Sequence, residues 1–143
     1  MPDQWPNQVA LITGGARGIG RATTRMLAAR GVAVAINYAT RADAALELAA
    51  EIRAAGGRAI TIQADVANPQ AVQAMTAQTE AELGPITILV NNAGIAWAAT
   101  IDTWNPEGFA RLRAVNVDGT IHAIRAVVGG MRTRRYGRIV NVS

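Results

Sequence analysis

Residues 13–20, Thr-Gly-Gly-Ala-Arg-Gly-Ile-Gly, place three of their four glycines, Gly14, Gly18 and Gly20, at the spacing G-x-x-x-G-x-G. This is not the G-x-G-x-x-G spacing, because Ala16 and Arg17 stand where glycines would be required. The chemistry it suits is the same in kind. Gly14 permits a tight turn with unusual dihedrals. Gly18 lets the backbone come close to a diphosphate, and Gly20 lets the next helix pack against the sheet. A helix starting here, with Ile19 in its first turn, aims free N–H groups and a positive dipole end at an anion. Three further places carry polar groups at the ends of apolar runs. Asp65-Val66 follows one run and offers a carboxylate that can accept from an amino group. Asn91-Asn92-Ala93-Gly94 follows another. Its amides each bring two donors and an acceptor, and Ala93 and Gly94 are small enough for a flat ligand to lie over them. Asn116 interrupts a helical apolar stripe, where a buried amide needs partners.

These residues need elements to position them, and the chain supplies an alternation. Gln8 to Thr13 reads as a buried strand, followed by a helix from Gly18 to Arg30 that stops at Gly31. Val32 to Asn37 is a second strand. Ala42 to Ala55 is a helix with Ala45, Leu48, Ala49 and Ile52 on one face, closed by Gly56 and Gly57. Arg58 to Gln63 is a third strand. Asn68 and Pro69 open the next helix as cap and first residue. Its stripe is Val72, Met75, Thr79 and Leu83, and it ends at Gly84-Pro85. Ile86 to Val90 is a fourth strand. A long helix is expected from Pro106 to Met131, with the stripe Phe109, Leu112, Asn116, Gly119, Thr120, Ala123, Val127 and Met131. Gly137 to Val142 is a fifth strand. Five apolar strands separated by four helices predict an α/β domain, a doubly wound parallel sheet between two helical layers. Such sheets bind ligands at the carboxyl ends of their strands, where the glycine loop, Asp65 and Asn91–Gly94 all fall.

Composition narrows the function. The chain has 143 residues, enough for one domain, and half of them are hydrophobic. It has no cysteine, and one histidine, His122, cannot form a metal cluster alone, so no metal site is expected. The segment Met1 to Gln8 carries Pro2, Trp5 and Pro6 and lacks the apolar run of a signal peptide. No stretch approaches the ~20 apolar residues of a membrane helix, so the expected location is the cytoplasm. The net charge is +4, and every basic residue is arginine. Arg132, Arg134, Arg135 and Arg138 could centre a nucleic-acid surface, but only Tyr136 is an aromatic near them and no nucleic-acid motif accompanies them. A nucleic-acid partner is therefore not expected.

The chain resembles the short-chain dehydrogenase/reductase family over residues 8 to 143. The glycine motif of that family, Thr-Gly-x-x-x-Gly-x-Gly, is matched at every fixed position by residues 13–20, and its Asn-Asn-Ala-Gly motif by residues 91–94. Asp65 stands where the family places an aspartate that contacts adenine. Asn116 stands where it places a catalytic-site asparagine that opens its helix and holds a water in a proton relay. The resemblance implies a Rossmann fold and hydride transfer between a nicotinamide and a carbonyl or alcohol substrate. The run Asn37-Tyr38-Ala39, the residues 91–94 and the strand Gly137–Ser143 look most like 3-oxoacyl-acyl-carrier-protein reductases.

The end of the second strand bears on the choice of cofactor. NAD enzymes commonly place an acid there to hold the ribose hydroxyls. Here Asn37 is followed by Tyr38, Ala39, Thr40 and Arg41. Arg17 and Arg41 can both reach that corner, and the planar fork of arginine suits a phosphate. In the family, a basic residue at the position of Arg17 goes with NADP, so NADP is the expected cofactor. The family's serine, and its tyrosine with a lysine four residues on, are expected beyond Ser143. Ser143 itself corresponds to the first of a serine pair and would be catalytic only if the register slipped by one. Asn116 is thus the catalytic residue expected within residues 1–143. Two further strands, more helices, and a homodimer or homotetramer through residues 106–131 are expected of the complete protein. A non-enzymatic NADP-binding or sensor module is the alternative if the chain ends at Ser143. A methyltransferase fits less well, since Asn37 replaces the acid expected for ribose.

Overall fold

The computed structural model of the chain describes residues 2–143; Met1, the first residue of the segment in which no signal peptide is expected, lies outside them. Five strands, β1 (Val9–Ile12), β2 (Ala33–Tyr38), β3 (Ala59–Gln63), β4 (Ile88–Asn91) and β5 (Arg138–Asn141), form one sheet in the order β3-β2-β1-β4-β5. All four pairings are parallel. The continuous apolar runs are resolved by the alternation of a strand, which sends neighbours to opposite faces. Val9 and Leu11 join Ala33, Ala35 and Leu89 on one face. Ala10 and Ile12 join Val34, Ile36, Ile88 and Val90 on the other.

Helices cover both faces. α1 (Gly18–Ala28) and α2 (Ala42–Ala54) lie over the second face, with Ala45, Leu48, Ala49 and Ile52 buried as their spacing predicts. α3 (Pro69–Leu83) lies over the first, burying Val72, Met75, Thr79 and Leu83. Asn68 caps it, its side chain accepting from the Gln70 and Ala71 amides at 2.9 and 3.1 Å. A short 3-10 helix, Pro2–Asn7, precedes β1 and has no counterpart among the predicted elements. Winding reverses between β1 and β4, and their carboxyl ends open the crevice expected of this topology.

The long helix differs from its predicted form. It runs as α4 (Pro106–Arg113), a turn of π-helix over Ala114–Asp118, and α5 (Gly119–Arg134). α4 buries no residue, and Phe109 is 48% exposed. The buried positions are Val115, Gly119, Ala123, Val127 and Met131, so the stripe is right at Gly119, Ala123, Val127 and Met131, leaves Thr120 half-buried, and enters through Val115 instead of Asn116. The cause is tertiary. α4 leans on the preceding loop and not on the sheet: the Phe109 and Trp104 rings lie 6.1 Å apart, and Gly108 packs on Trp97. The basic cluster is partly structural. Arg134 donates to the Ile86 carbonyl at 2.7 Å, and the Arg138 guanidinium lies over the Tyr136 ring.

Candidate dinucleotide-binding site

A cleft of about 410 Å³ lies at the carboxyl ends of β1, β2, β3 and β4. Every cofactor-binding residue expected from the sequence borders it except Ile19 and Gly20. Ile19 points outward, 64% exposed. Gly20 serves the loop from beneath, since a Cβ there would collide with the Gly14 carbonyl and the Asn92 amide. Its neighbour is thus the loop itself and not the sheet. Gly14 and Gly18 adopt φ of 61° and 51°, in the left-handed region where only glycine is at ease. Nothing stands within 4 Å of where a Gly18 Cβ would be, so the space before the turn is open.

The loop is held by side chains whose roles are set by strand position. Asn37 is 1% exposed. Its Oδ1 accepts from the Gly14 amide at 3.2 Å, and its Nδ2 donates to the Ile62 and Ala64 carbonyls at 3.3 and 3.0 Å. Its own carbonyl accepts from the Gly15 amide at 2.9 Å. Asn37 therefore fastens the loop to β3, while Tyr38, one residue on and half-buried, borders the open corner. Asn92 works from the other side. Its Nδ2 donates to the Thr13 and Gly14 carbonyls at 3.1 and 3.0 Å. The Thr13 hydroxyl accepts from the Asn92 and Ala93 amides, both at 3.0 Å. Asn91 is buried and donates to Asn141 at 2.9 Å, joining β4 to β5.

With the loop so fixed, the N-terminus of α1 faces the cleft. α3 and α4 begin under asparagine caps, Asn68 and Asn105. α1 begins at Arg17 with no side-chain cap and no acid in its first turn. Its first amides are left for an anion, and the residues fit a diphosphate.

Three arginines border the cleft: Arg17, Arg41 and Arg111. Arg41 is paired with Asp43, Nη2 to Oδ2 at 2.8 Å. That bond, helped by the Ala44 amide, lowers the Asp43 carboxyl to about 2. Arg111 is paired with Asp65, Nη2 to Oδ2 at 2.9 Å, and the other Asp65 oxygen accepts from the Ala67 amide at 2.9 Å. Arg17 forms no ion pair among the described residues. Val66 sits in the core, where Gly119 packs on its side chain, and its carbonyl bonds His122 Nδ1 at 3.0 Å. Asn116 is exposed and not the buried amide expected. It clamps the next loop reciprocally: its Oδ1 accepts from the Ile95 amide at 2.8 Å, and its Nδ2 donates to the Ile95 carbonyl at 2.9 Å. Ser143 is exposed and follows β5. Among the described residues, no group of histidine, cysteine or acids could hold a metal, and no helix is long and apolar enough to cross a membrane.

A glycine loop, an uncapped helix start and polar strand ends meet at one switch point, and the sequence pattern described as short chain dehydrogenase matches residues 8–143. The chain belongs to the short chain dehydrogenase family. Its relatives include an acetoacetyl-CoA reductase of Paracoccus denitrificans, 42% identical over 95% of this chain and 54% of the relative. A 3-oxoacyl-[acyl-carrier-protein] reductase of Synechocystis sp. is 40% identical over 95% of this chain and 55% of the relative. Among solved structures, a short chain dehydrogenase from Burkholderia cenocepacia in complex with NADP superposes with a TM-score of 0.88. It is 40% identical, across 97% of this chain and 56% of the other. The chain spans about half the length of the curated relatives it matches.

Several contributors to this site carry no sequence signal, or only a weak one. Thr13 lay in the glycine motif but was read only as the end of a strand. Thr24 ties the loop to α1 by donating to the Gly20 and Gly15 carbonyls at 2.8 and 3.3 Å; a hydroxyl on the inward face of α1 was the available signal. Arg111 and His122 act through partners more than 40 residues away in sequence, and no local pattern marks them.

Proposed function

We propose that residues 1–143 are the dinucleotide-binding part of one domain of an NADP-dependent oxidoreductase acting on a carbonyl or alcohol, of the 3-oxoacyl-thioester reductase type. The observation that carries the cofactor choice is Arg17: it borders the cleft at the uncapped start of α1 and, unlike Arg41 and Arg111, is not neutralised by a carboxylate. Gly14, Gly18 and the first amides of α1 take the diphosphate, with Ile19 and Gly20 in the turn that presents them. Tyr38, with Arg17 and Arg41, bounds the ribose-phosphate corner, and Asn37 holds it in shape. Asp65 and Val66 receive the adenine, and Asn92, Ala93 and Gly94 lie along the ribose. Asn116 is the catalytic-site residue. Bound NADPH supplies the hydride. The proton donor, its activator and the carbonyl-polarising serine are assigned to residues beyond Ser143. The bound state of the Burkholderia cenocepacia relative and the names of the reductases support this reading. A cytoplasmic homodimer or homotetramer built on residues 106–131 belongs to the same proposal.

The test is equilibrium titration of the full-length protein with NADPH and NADH. NADPH is expected to bind more tightly, and Arg17→Ala to remove most of that preference. Loss of one charge-assisted phosphate contact costs about 1.5–3 kcal/mol, or roughly ten- to a hundredfold in affinity. Equal affinities in the unsubstituted protein would overturn the assignment.

A further inference from the structure

We propose that Arg111 is a positioning residue for the base end of the cleft: by holding the Asp65 carboxylate it makes the site select a purine with an exocyclic amino group. The inference rests on the dinucleotide reading above. Both Asp65 oxygens are engaged, Oδ1 by the Ala67 amide and Oδ2 by Arg111, each at 2.9 Å. Two donors on two oxygens fix the plane of the carboxylate. Each oxygen keeps a further lone pair, and the side chain is 43% exposed on the cleft. An amino group on the base can donate to these oxygens. An oxo group at the same place would set acceptor against acceptor.

The pair is not explained by stability. Arg111 is 51% exposed, and an ion pair so open to water adds little to the fold. What it does is geometric. α4 buries no residue, yet Arg111 reaches from it across the cleft to the end of β3. Without Arg111 the carboxylate keeps one fixed oxygen and can turn about its side-chain bonds. It then hydrates freely, and its preference for an amino donor weakens.

The experiment titrates the full-length protein with NADPH and with its 6-oxo analogue, reduced nicotinamide hypoxanthine dinucleotide phosphate. The readout is the ratio of the two dissociation constants, followed by cofactor fluorescence. The unsubstituted protein is expected to favour NADPH by about tenfold or more, the size of one charge-assisted hydrogen bond. Asp65→Ala is expected to bring the ratio near one. Arg111→Ala and Arg111→Gln are expected to reduce it to roughly threefold or less, with Arg111→Lys recovering part of the loss. Two variants at one exposed position keep the test usable if either fails to fold. A ratio unchanged in both, with Asp65→Ala reducing it, overturns the role of Arg111. NADPH binding without discrimination in the unsubstituted protein overturns the inference and leaves the dinucleotide reading standing. No binding of either cofactor removes the reading and the inference together.

Discussion

At the scale of single residues, the two motif glycines Gly18 and Gly20 face different constraints, and their substitutions should separate. Gly18 needs a left-handed backbone and looks onto open space. Gly18→Val is expected to cost about 1–2 kcal/mol in backbone strain and to abolish NADPH binding, because the side chain fills the diphosphate space. Far-UV circular dichroism should keep its folded signature. Gly20→Ala drives a methyl into the Gly14 carbonyl, so it should deform the loop itself. Unchanged NADPH affinity in Gly18→Val would show that no phosphate lies against the turn. The spacing of the glycines made this loop legible; the groups that hold it were less so. Asn37 is expected at the ribose corner because it stands at the strand end where an NAD enzyme carries an acid. Its burial follows from strand alternation, which turns it inward and leaves Tyr38 at the cleft. No signal at the strand end points to Asp43, which lies beyond it in the first turn of α2. Its carboxyl is lowered from 3.8 to about 2, chiefly by the hydrogen bond from Arg41. A lowered value means that the pair is intact above the ordinary carboxylate range and is lost only as pH falls toward 2. Arg41 therefore stays engaged at neutral pH. Asp43→Asn should free it and raise NADPH affinity by about two- to fivefold, the range of an exposed ion pair, with NADH unaffected. An equal gain for both cofactors would place Arg41 away from the 2′-phosphate.

At the scale of elements, the strands were the most legible part because burial on both faces writes itself as an unbroken apolar run. Val9–Ile12, Ala33–Tyr38 and Ile88–Asn91 all lie within two residues of their expected bounds. The long helix was legible only in part. Periodicity assumes constant phase, and the π-turn at Ala114–Asp118 breaks it without any glycine or proline inside the turn to announce the break. The turn carries Asn116 out of the buried stripe and aims its amide at Ile95. This clamp links α4–α5 to the loop that follows β4 by hydrogen bonds. Asn116→Ala removes both hydrogen bonds, and the amides from Ile95 onward should exchange with solvent about tenfold faster, the effect of one or two hydrogen bonds of ordinary strength. Asn116→Asp keeps the acceptor for the Ile95 amide but cannot donate to its carbonyl, and should fall between. Amide exchange that stays the same in Asn116→Ala would mean that the loop is held by other contacts, such as that of Trp97 against Gly108.

At the scale of the whole molecule, two apolar surfaces stand uncovered among the described residues. One is β5, which pairs with β4 on one side and stands at the edge of the sheet order. All four of its residues are exposed, Val140 by 50% and Ile139 by 37%, and Val142 just beyond it by 38%. A parallel strand is normally covered on both faces, and an apolar edge with free backbone groups templates pairing with another chain. The other surface is α4 with its loop, where Ile101 is 91%, Trp104 49% and Phe109 48% exposed, continuing to Ile121 at 47%. The relatives are about twice as long as this chain, which gives a natural source of cover for β5; the second subunit proposed above would cover the helical surface. Covering two such side chains is worth roughly 3–6 kcal/mol, a large share of the 5–15 kcal/mol that typically separates a folded domain from its unfolded chain. Residues 1–143 expressed alone are therefore expected to self-associate, melt broadly and show no NADPH oxidation with a carbonyl substrate. The full-length protein is expected to sediment as a defined oligomer and to melt cooperatively. Sedimentation velocity and thermal melting on both chains decide it. A monodisperse 143-residue monomer with a sharp melt would mean that the exposed faces are tolerated by water, and would favour a free-standing dinucleotide-binding module.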